Sequence, residues 1–167
     1  MAKRLLLGLM LVAIGGGSAF AQFESDSNAP IEITSDTMEW MNEERVAIAR
    51  GNADAVQGRY KLHADVLRAY LNQGEGDTAD KIKLITADGN VSLTTPEESA
   101  RGETGQYNVE KGIVELTGSV VLTQGQSVMS GDKLVMDLNS GRSTLHSEDR
   151  VRAVFTPENE SSSEEGQ

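Results

Sequence analysis

Read from Met129, the stretch MSGDKLVMDLNSGRSTLHSEDRV sets out a pattern that the rest of the chain repeats. After Asp132, the apolar residues Leu134, Met136 and Leu138 alternate with polar ones. A polar turn follows at Asn139-Ser140-Gly141, and a second alternating run ends at Phe155. Period-two alternation on either side of a turn predicts a strand, a turn and a strand. An acid opens a similar unit at Asp36, Asp65, Glu103 and Asp132, at spacings of 29, 38 and 29 residues. Two positions after each acid stand Met38, Leu67, Gly105 and Leu134. Four after stand Trp40, Ala69, Tyr107 and Met136, and six after stand Asn42, Leu71, Val109 and Leu138. The return strands align on Gly51-Asn52-Ala53, Gly89-Asn90-Val91, Gly118-Ser119-Val120 and, more loosely, Asp149-Arg150-Val151. Each is followed at spacing two by Ala55, Leu93, Leu122 or Ala153. A period near 30 residues marks an array in which each unit closes its core on its neighbours.

Two segments compete as helices, Met38–Ala49 and Leu62–Leu71, but both keep period two and fall in register with the other units. Arg68, Lys81, Lys83, Asp88, Asn108, Glu110 and Asp137 mark the polar face, as in an antiparallel sheet with one solvated side. Turn chemistry at Asn72–Asp77, Pro96-Glu97-Glu98, Glu110-Lys111-Gly112 and Asn139-Ser140-Gly141 separates the runs, and an insertion at Gln73–Ala79 lengthens the second unit. The expected fold is therefore all-β, built from repeated antiparallel strand pairs. With seven aromatics in the chain, the inward columns mix Ala, Gly and Val with Leu and Met. Such columns suit either a slot with room for a guest or repeats that interlock without one.

The ends have a different composition. Lys3 and Arg4, the apolar run Leu5–Ile14 and Ala19-Phe20-Ala21 form the charged head, core and cleavage site of a secretory signal peptide. Residues 1–21 are expected to be removed, 22–29 to be a linker, 30–156 the domain and 157–167 an acidic disordered tail. Losing Lys3 and Arg4 leaves 13 basic against 26 acidic residues. That balance disfavours nucleic acid and anionic membrane faces.

No chemistry rises above this frame. There is no Cys, and His63 and His146 have no ligand neighbours at metal spacing. Ser130-Gly131-Asp132-Lys133 matches S-x-x-K but opens a strand, where Lys cannot reach the Ser as it does from a helix. The recurring acids point to a shared structural role at a turn or strand end. No catalytic residue, metal or cofactor is expected, and an enzyme is not.

Pro30-Ile31-Glu32-Ile33-Thr34-Ser35-Asp36, the repeated Gly-Asn-Ala/Val with Gln57-Gly58, Tyr107, Val114–Gly118, Gly118–Gly125 and Ser130–Leu134 together resemble the LptA (OstA-like) family of periplasmic lipopolysaccharide transport proteins. The resemblance runs from about Pro30 to Phe155. It implies a twisted, folded-over β-jellyroll (β-taco) with an apolar internal groove that shields the lipid A acyl chains between inner and outer membranes, in the periplasm. On this reading the groove lining is Ile31, Ile33, Trp40, Leu67, Leu71, Leu93, Tyr107, Val109, Leu122, Leu134, Met136 and Leu138. The edge Ile31, Glu32, Ile33, Thr34 would face LptC. The edge Val151, Arg152, Ala153, Val154, Phe155 would face the LptD N-terminal domain or another copy, in head-to-tail self-association. The rival expectation is a structural β-solenoid with a dry core and no lipid cargo.

Overall fold

The computed structural model describes residues 29–72 and 81–156. The signal peptide, most of the linker, the Gln73–Ala79 insertion and the acidic tail lie outside the described residues. Among the described residues there are ten strands: β1 (Ile31–Thr34), β2 (Thr37–Met41), β3 (Val46–Gln57), β4 (Tyr60–Leu71), β5 (Ile82–Thr94), β6 (Glu98–Asn108), β7 (Ile113–Gln124), β8 (Ser127–Asp137), β9 (Arg142–His146) and β10 (Arg152–Val154). They form one antiparallel sheet in the order β1-β3-β4-β5-β6-β7-β8-β10, with β2 also on β3 and β9 also on β8. The sheet is not closed, so both its ends carry free edges. Both segments with competing helical signals are strands, because alternation and the Asn42–Arg45 turn outweigh a local run of good helix formers.

Each long strand is interrupted near its middle. The register shifts between Arg50 and Ala53, His63 and Val66, Asp88 and Val91, Arg101 and Thr104, and Thr117 and Val120. The interruptions line up across the sheet and divide it into two leaves. Of these, β3 to β8 supply a segment to each; β2 and β9 complete one leaf, and β1 and β10 the other. The cause is written at the repeated acids. Gly51 and Asn52, Gly89 and Asn90, and Gly118 and Ser119 all take positive φ. Two consecutive residues in that region make a bulge that bends a strand. In each case the acid that opens the unit holds the bulge. The Asn52 Nδ2 donates to Asp36 Oδ2 at 3.0 Å, the Asn90 Nδ2 to Asp65 Oδ2 at 2.8 Å, and the Ser119 hydroxyl to Glu103 Oε1 at 3.3 Å. In the fourth unit Asp132 Oδ2 accepts from the Ser147 hydroxyl at 2.7 Å and the Glu148 backbone N–H at 2.8 Å. The shared structural role expected of these acids is thus to secure the fold line.

That fourth unit differs by two residues. In β9 the pairing of Lys133 with His146 puts Ser147 where the other units have Gly. In β10 the pairing of Ala153 with Met129 puts Asp149 there, as the looser sequence alignment has it. Two extra residues at the fold line therefore split the second run of this unit into β9 and β10, which were expected as one strand ending at Phe155.

The leaves face one another and bury the inward columns. The outer face is less uniformly polar than alternation implies. Val46 and Ile48 are buried but lie opposite Tyr70 and Arg68, on the face away from Ala47, Ala49, Leu67 and Ala69. Half-buried Met41 and Leu84 flank them in register, giving a small apolar cluster on the exterior.

Candidate functional site: the interior between the leaves

Register converts the columns into rows that cross the whole sheet. One row on the first leaf runs Trp40, Ala47, Ala69, Ile85, Tyr107, Val114, Met136, Ser143. The next runs Met38, Ala49, Leu67, Ala87, Gly105, Leu116, Leu134, Leu145. On the second leaf Ile33, Ala55, Leu62, Leu93, Ala100, Leu122, Met129 and Ala153 form a corresponding row. Most of these side chains carry no hydrogen-bonding group, so the space between the leaves is an apolar seam from one free edge to the other.

The expected lining residues fall into three environments. Leu67, Leu93, Tyr107, Leu122, Leu134 and Met136 are buried in the central cluster. Ile31, Ile33, Val109 and Leu138 pack against it half-buried, while Leu71 is half-buried at a strand end. Trp40 sits in register on the inward face opposite Ala47, yet remains 45% exposed because no strand among the described residues pairs with β2 on its outer side. Pattern reading did not single out Ala53, Ala64, Ile85, Val91, Val114, Leu116 or Val120 as lining, all of which are buried. The parity of each strand, together with its bulge, would have found them.

The interior is shut. The space left among Ile31, Ala55, Gln57, Tyr60, Leu62, Leu93, Ile85, Tyr107, Val114 and Leu138 is about 20 Å³. That is room for about one water molecule. Small residues bring the leaves together: a Cβ on Gly105 would lie 3.2 Å from Val91 Cγ1 across the fold line, besides 2.8 Å from its neighbour Leu116 Cδ2 on the same leaf. Of the two possibilities left open by composition, close interlocking describes this state.

One polar pair stands inside. Gln57 is 5% exposed, at the end of the column Ala53, Ala55, Gln57, and its Oε1 accepts from the Tyr107 hydroxyl at 2.6 Å while its Nε2 donates to the Ala29 carbonyl at 3.0 Å. Burial, with the Tyr60 phenol nearby, pushes the Tyr107 pKa above its ordinary value and keeps the hydroxyl a donor. Two further bonds cross the mouth, from the Tyr60 hydroxyl to the Leu138 carbonyl at 3.3 Å and from the Ser143 hydroxyl to Glu98 Oε1. At the rim an open recess of about 340 Å³ is bordered by Arg59–Tyr60 and Thr95–Glu98 on one leaf and Met136–Gly141 on the other.

The outer face holds ordinary surface pairs. Asp54 takes Lys61 Nζ at 2.8 Å and His63 Nδ1 at 2.7 Å, and Lys133 of the S-x-x-K sequence meets Glu115 at 2.8 Å across the strands. Among the described residues no three His, Cys, Asp or Glu side chains are grouped to hold a metal ion.

Comparison with known proteins agrees with this geometry. Residues 32–142 match the family model described as LptA/(LptD N-terminal domain) LPS transport protein. The lipopolysaccharide export system protein LptH of Pseudomonas aeruginosa is 30% identical over 152 residues, covering 84% of this chain and 83% of its own. An uncharacterised protein of Rhizobium meliloti (strain 1021) is 28% identical over 144 residues, covering 84% of this chain and 77% of its own. The crystal structure of LptH superposes with a TM-score of 0.70 over 80% of this chain and 99% of LptH at 22% identity, which establishes the shared jellyroll-like fold. With two thirds of its length under the family model and a folded-over sheet to match, the chain belongs to the LptA/(LptD N-terminal domain) family of lipopolysaccharide transport proteins.

Proposed function

We propose that this protein carries lipopolysaccharide through the periplasm as one segment of a β-jellyroll bridge, with the acyl chains between the leaves and the sugars and phosphates outside the mouth. The observation that carries this reading is the apolar seam that crosses every strand and ends at two unpaired edges. An acyl chain in water loses about 0.8 kcal/mol for each methylene left exposed. A seam continued from one jellyroll to the next removes that penalty along the path. The part played by the protein is to bind and shield, with no bond made or broken. The solved relative LptH is described as a periplasmic component of the lipopolysaccharide transport device, and export of this chain with cleavage after Ala21 fits that compartment. On this reading β1 and β2 receive LptC, and β9 and β10 receive the LptD N-terminal domain or a second copy, because free edges offer unpaired backbone groups.

The test places photo-crosslinking groups on both faces. Groups at Tyr107 or Leu134 capture lipopolysaccharide, and groups at the outward Arg68 or Asn108 do not. Equal capture from both faces overturns the assignment of the interior as the lipid site. The absence of capture anywhere favours the dry structural core, for which the closed interior is the one supporting observation.

A further inference from the structure

The pocket between the leaves beside Gln57 and Tyr107 offers about 20 Å³, too little for an acyl chain unless the leaves move apart there. The side-chain hydrogen bonds between the leaves show where that movement is controlled. Gln57–Tyr107, Tyr60–Leu138 and Glu98–Ser143 each join one leaf to the other, and each lies four to six residues from the fold line, at the mouth end of its strands. We propose that these three pairs form a latch across the mouth, centred on Gln57 and Tyr107, which holds the interior shut until a lipid chain enters. The inference rests on the lipid-carrying reading above.

Two physical differences separate a latch from ordinary core packing. When the leaves part, the apolar rows lose contacts that an entering acyl chain can replace. The Gln57 amide oxygen and Tyr107 hydroxyl lose a bond with one another that a hydrocarbon chain cannot replace. Those polar atoms are satisfied when the seam is shut and satisfied again when it is wet, but not in a half-open, dry state. Such a pair favours two discrete positions of the leaves over a continuum. The opposite side of the molecule suits a pivot. There the ladder register is interrupted strand by strand, and the left-handed pairs Gly51-Asn52, Gly89-Asn90 and Gly118-Ser119 are held to their acids by the side chains of Asn52, Asn90 and Ser119.

The chain has no Cys, so the latch can be tested with introduced thiols in the mature protein. Loading of fluorescently labelled lipopolysaccharide is timed for the wild type, for Tyr107→Phe, and for Glu98→Cys combined with Ser143→Cys bridged by a short bis-maleimide. The Phe variant keeps the ring but removes the Tyr107–Gln57 hydrogen bond from the shut state, and it is expected to load about fivefold faster, the population ratio that one net hydrogen bond controls. The bridged protein does not load when clamped first, and it retains its lipid when clamped after loading. Loading of the pre-clamped protein at the wild-type rate overturns the latch while leaving the lipid-carrying reading intact. A blocked clamp with a wild-type rate for Tyr107→Phe removes Gln57–Tyr107 from its centre. A wild-type protein that takes up no lipopolysaccharide, here and in the crosslinking test, overturns the reading and the latch together.

Discussion

At Gly89 a single added methyl group would lie 2.4 Å from the Asp65 carboxylate, on a residue whose φ is +78°. Gly125 also has positive φ, at +57°, but a methyl there would meet open space. Backbone conformation and steric room can therefore be separated. Gly125→Ala should destabilise by about 1 kcal/mol, the ordinary left-handed penalty. Gly89→Ala should destabilise by about 2–3 kcal/mol because it also displaces the acid that holds the bulge. The midpoints of urea unfolding compare the two, and equal losses would mean that the acid is dispensable. Adding Asp65→Ala to Gly89→Ala should recover part of the loss, since the two residues are in contact and their effects do not add. Asp54 sets a pH dependence. Its partial burial raises the carboxyl pKa, but the hydrogen bonds and charges of Lys61 and His63 outweigh that and leave it below the ordinary value of 3.8. A folded pKa below the unfolded one contributes stability that is present above the unfolded value and lost as pH falls through the folded value. As pH falls through and below the ordinary carboxylate range the wild type should therefore lose more stability than Asp54→Asn, by up to about 1 kcal/mol for a pair this open to solvent. Identical acid unfolding curves for the two proteins would contradict this.

The element is the acid-headed hairpin, and four of them make the sheet. Within it both strands cross the fold line from one leaf to the other, and the terminal edges are divided in the same way. The N-terminal edge is β1 together with β2, and the C-terminal edge is β10 together with β9. The sequence pointed to Ile31–Thr34 and Val151–Phe155, which supply only the second-leaf half of each edge. The first-leaf half carries Met38 and Trp40, both exposed on the inward face. Trp40→Ala should leave the unfolding midpoint of the monomer nearly unchanged, because a side chain this exposed contributes little to the core. In any assembly through that edge it should raise the dissociation constant tenfold or more, as loss of a buried interface Trp does. Sedimentation of the variant beside the wild type measures both quantities in one preparation.

For the whole molecule, the internal register predicts how copies would join. At each step between hairpins the residue before the bulge glycine pairs with the residue after the acid: Arg50 with Val66, Asp88 with Thr104, Thr117 with Lys133. If a second copy continues the same step, Leu145 of the first faces Met38 of the second, and Ser143 faces Trp40. On the other leaf, where β10 is two residues out, Ala153 faces Ile33 and the 71%-exposed Phe155 faces Ile31. This joint covers Met38, Trp40 and Phe155 and carries the apolar rows across the boundary. Cysteines at Met38 with Leu145, or at Ile33 with Ala153, should cross-link successive copies on oxidation. Pairs shifted by one residue should not, since a one-residue slip turns every side chain to the opposite face. Cross-linking at the shifted pairs alone would exclude a joint that continues the repeat.

Period-two alternation, the spacing of Asp36, Asp65, Glu103 and Asp132, and the Gly-Asn pairs were enough to read the strands, the inward columns, the repeat and the structural role of the acids, because each is a local property of the chain. Inward residues such as Leu67, Tyr107 and Leu134 follow directly from parity. The state of the interior does not. Whether Ala and Gly leave a slot or let the leaves meet depends on the angle at the fold line, and that angle arises only when bulges from neighbouring strands line up. The same holds for Gln57, whose partner Tyr107 lies 50 residues away and across the fold. It holds for Trp40, inward by parity but exposed by its place at an edge, and for Val46 and Ile48, buried on the outside. Alternation assigns a side chain to a face; only the packing of one leaf on the other decides whether that face is closed, and by which bonds it is held.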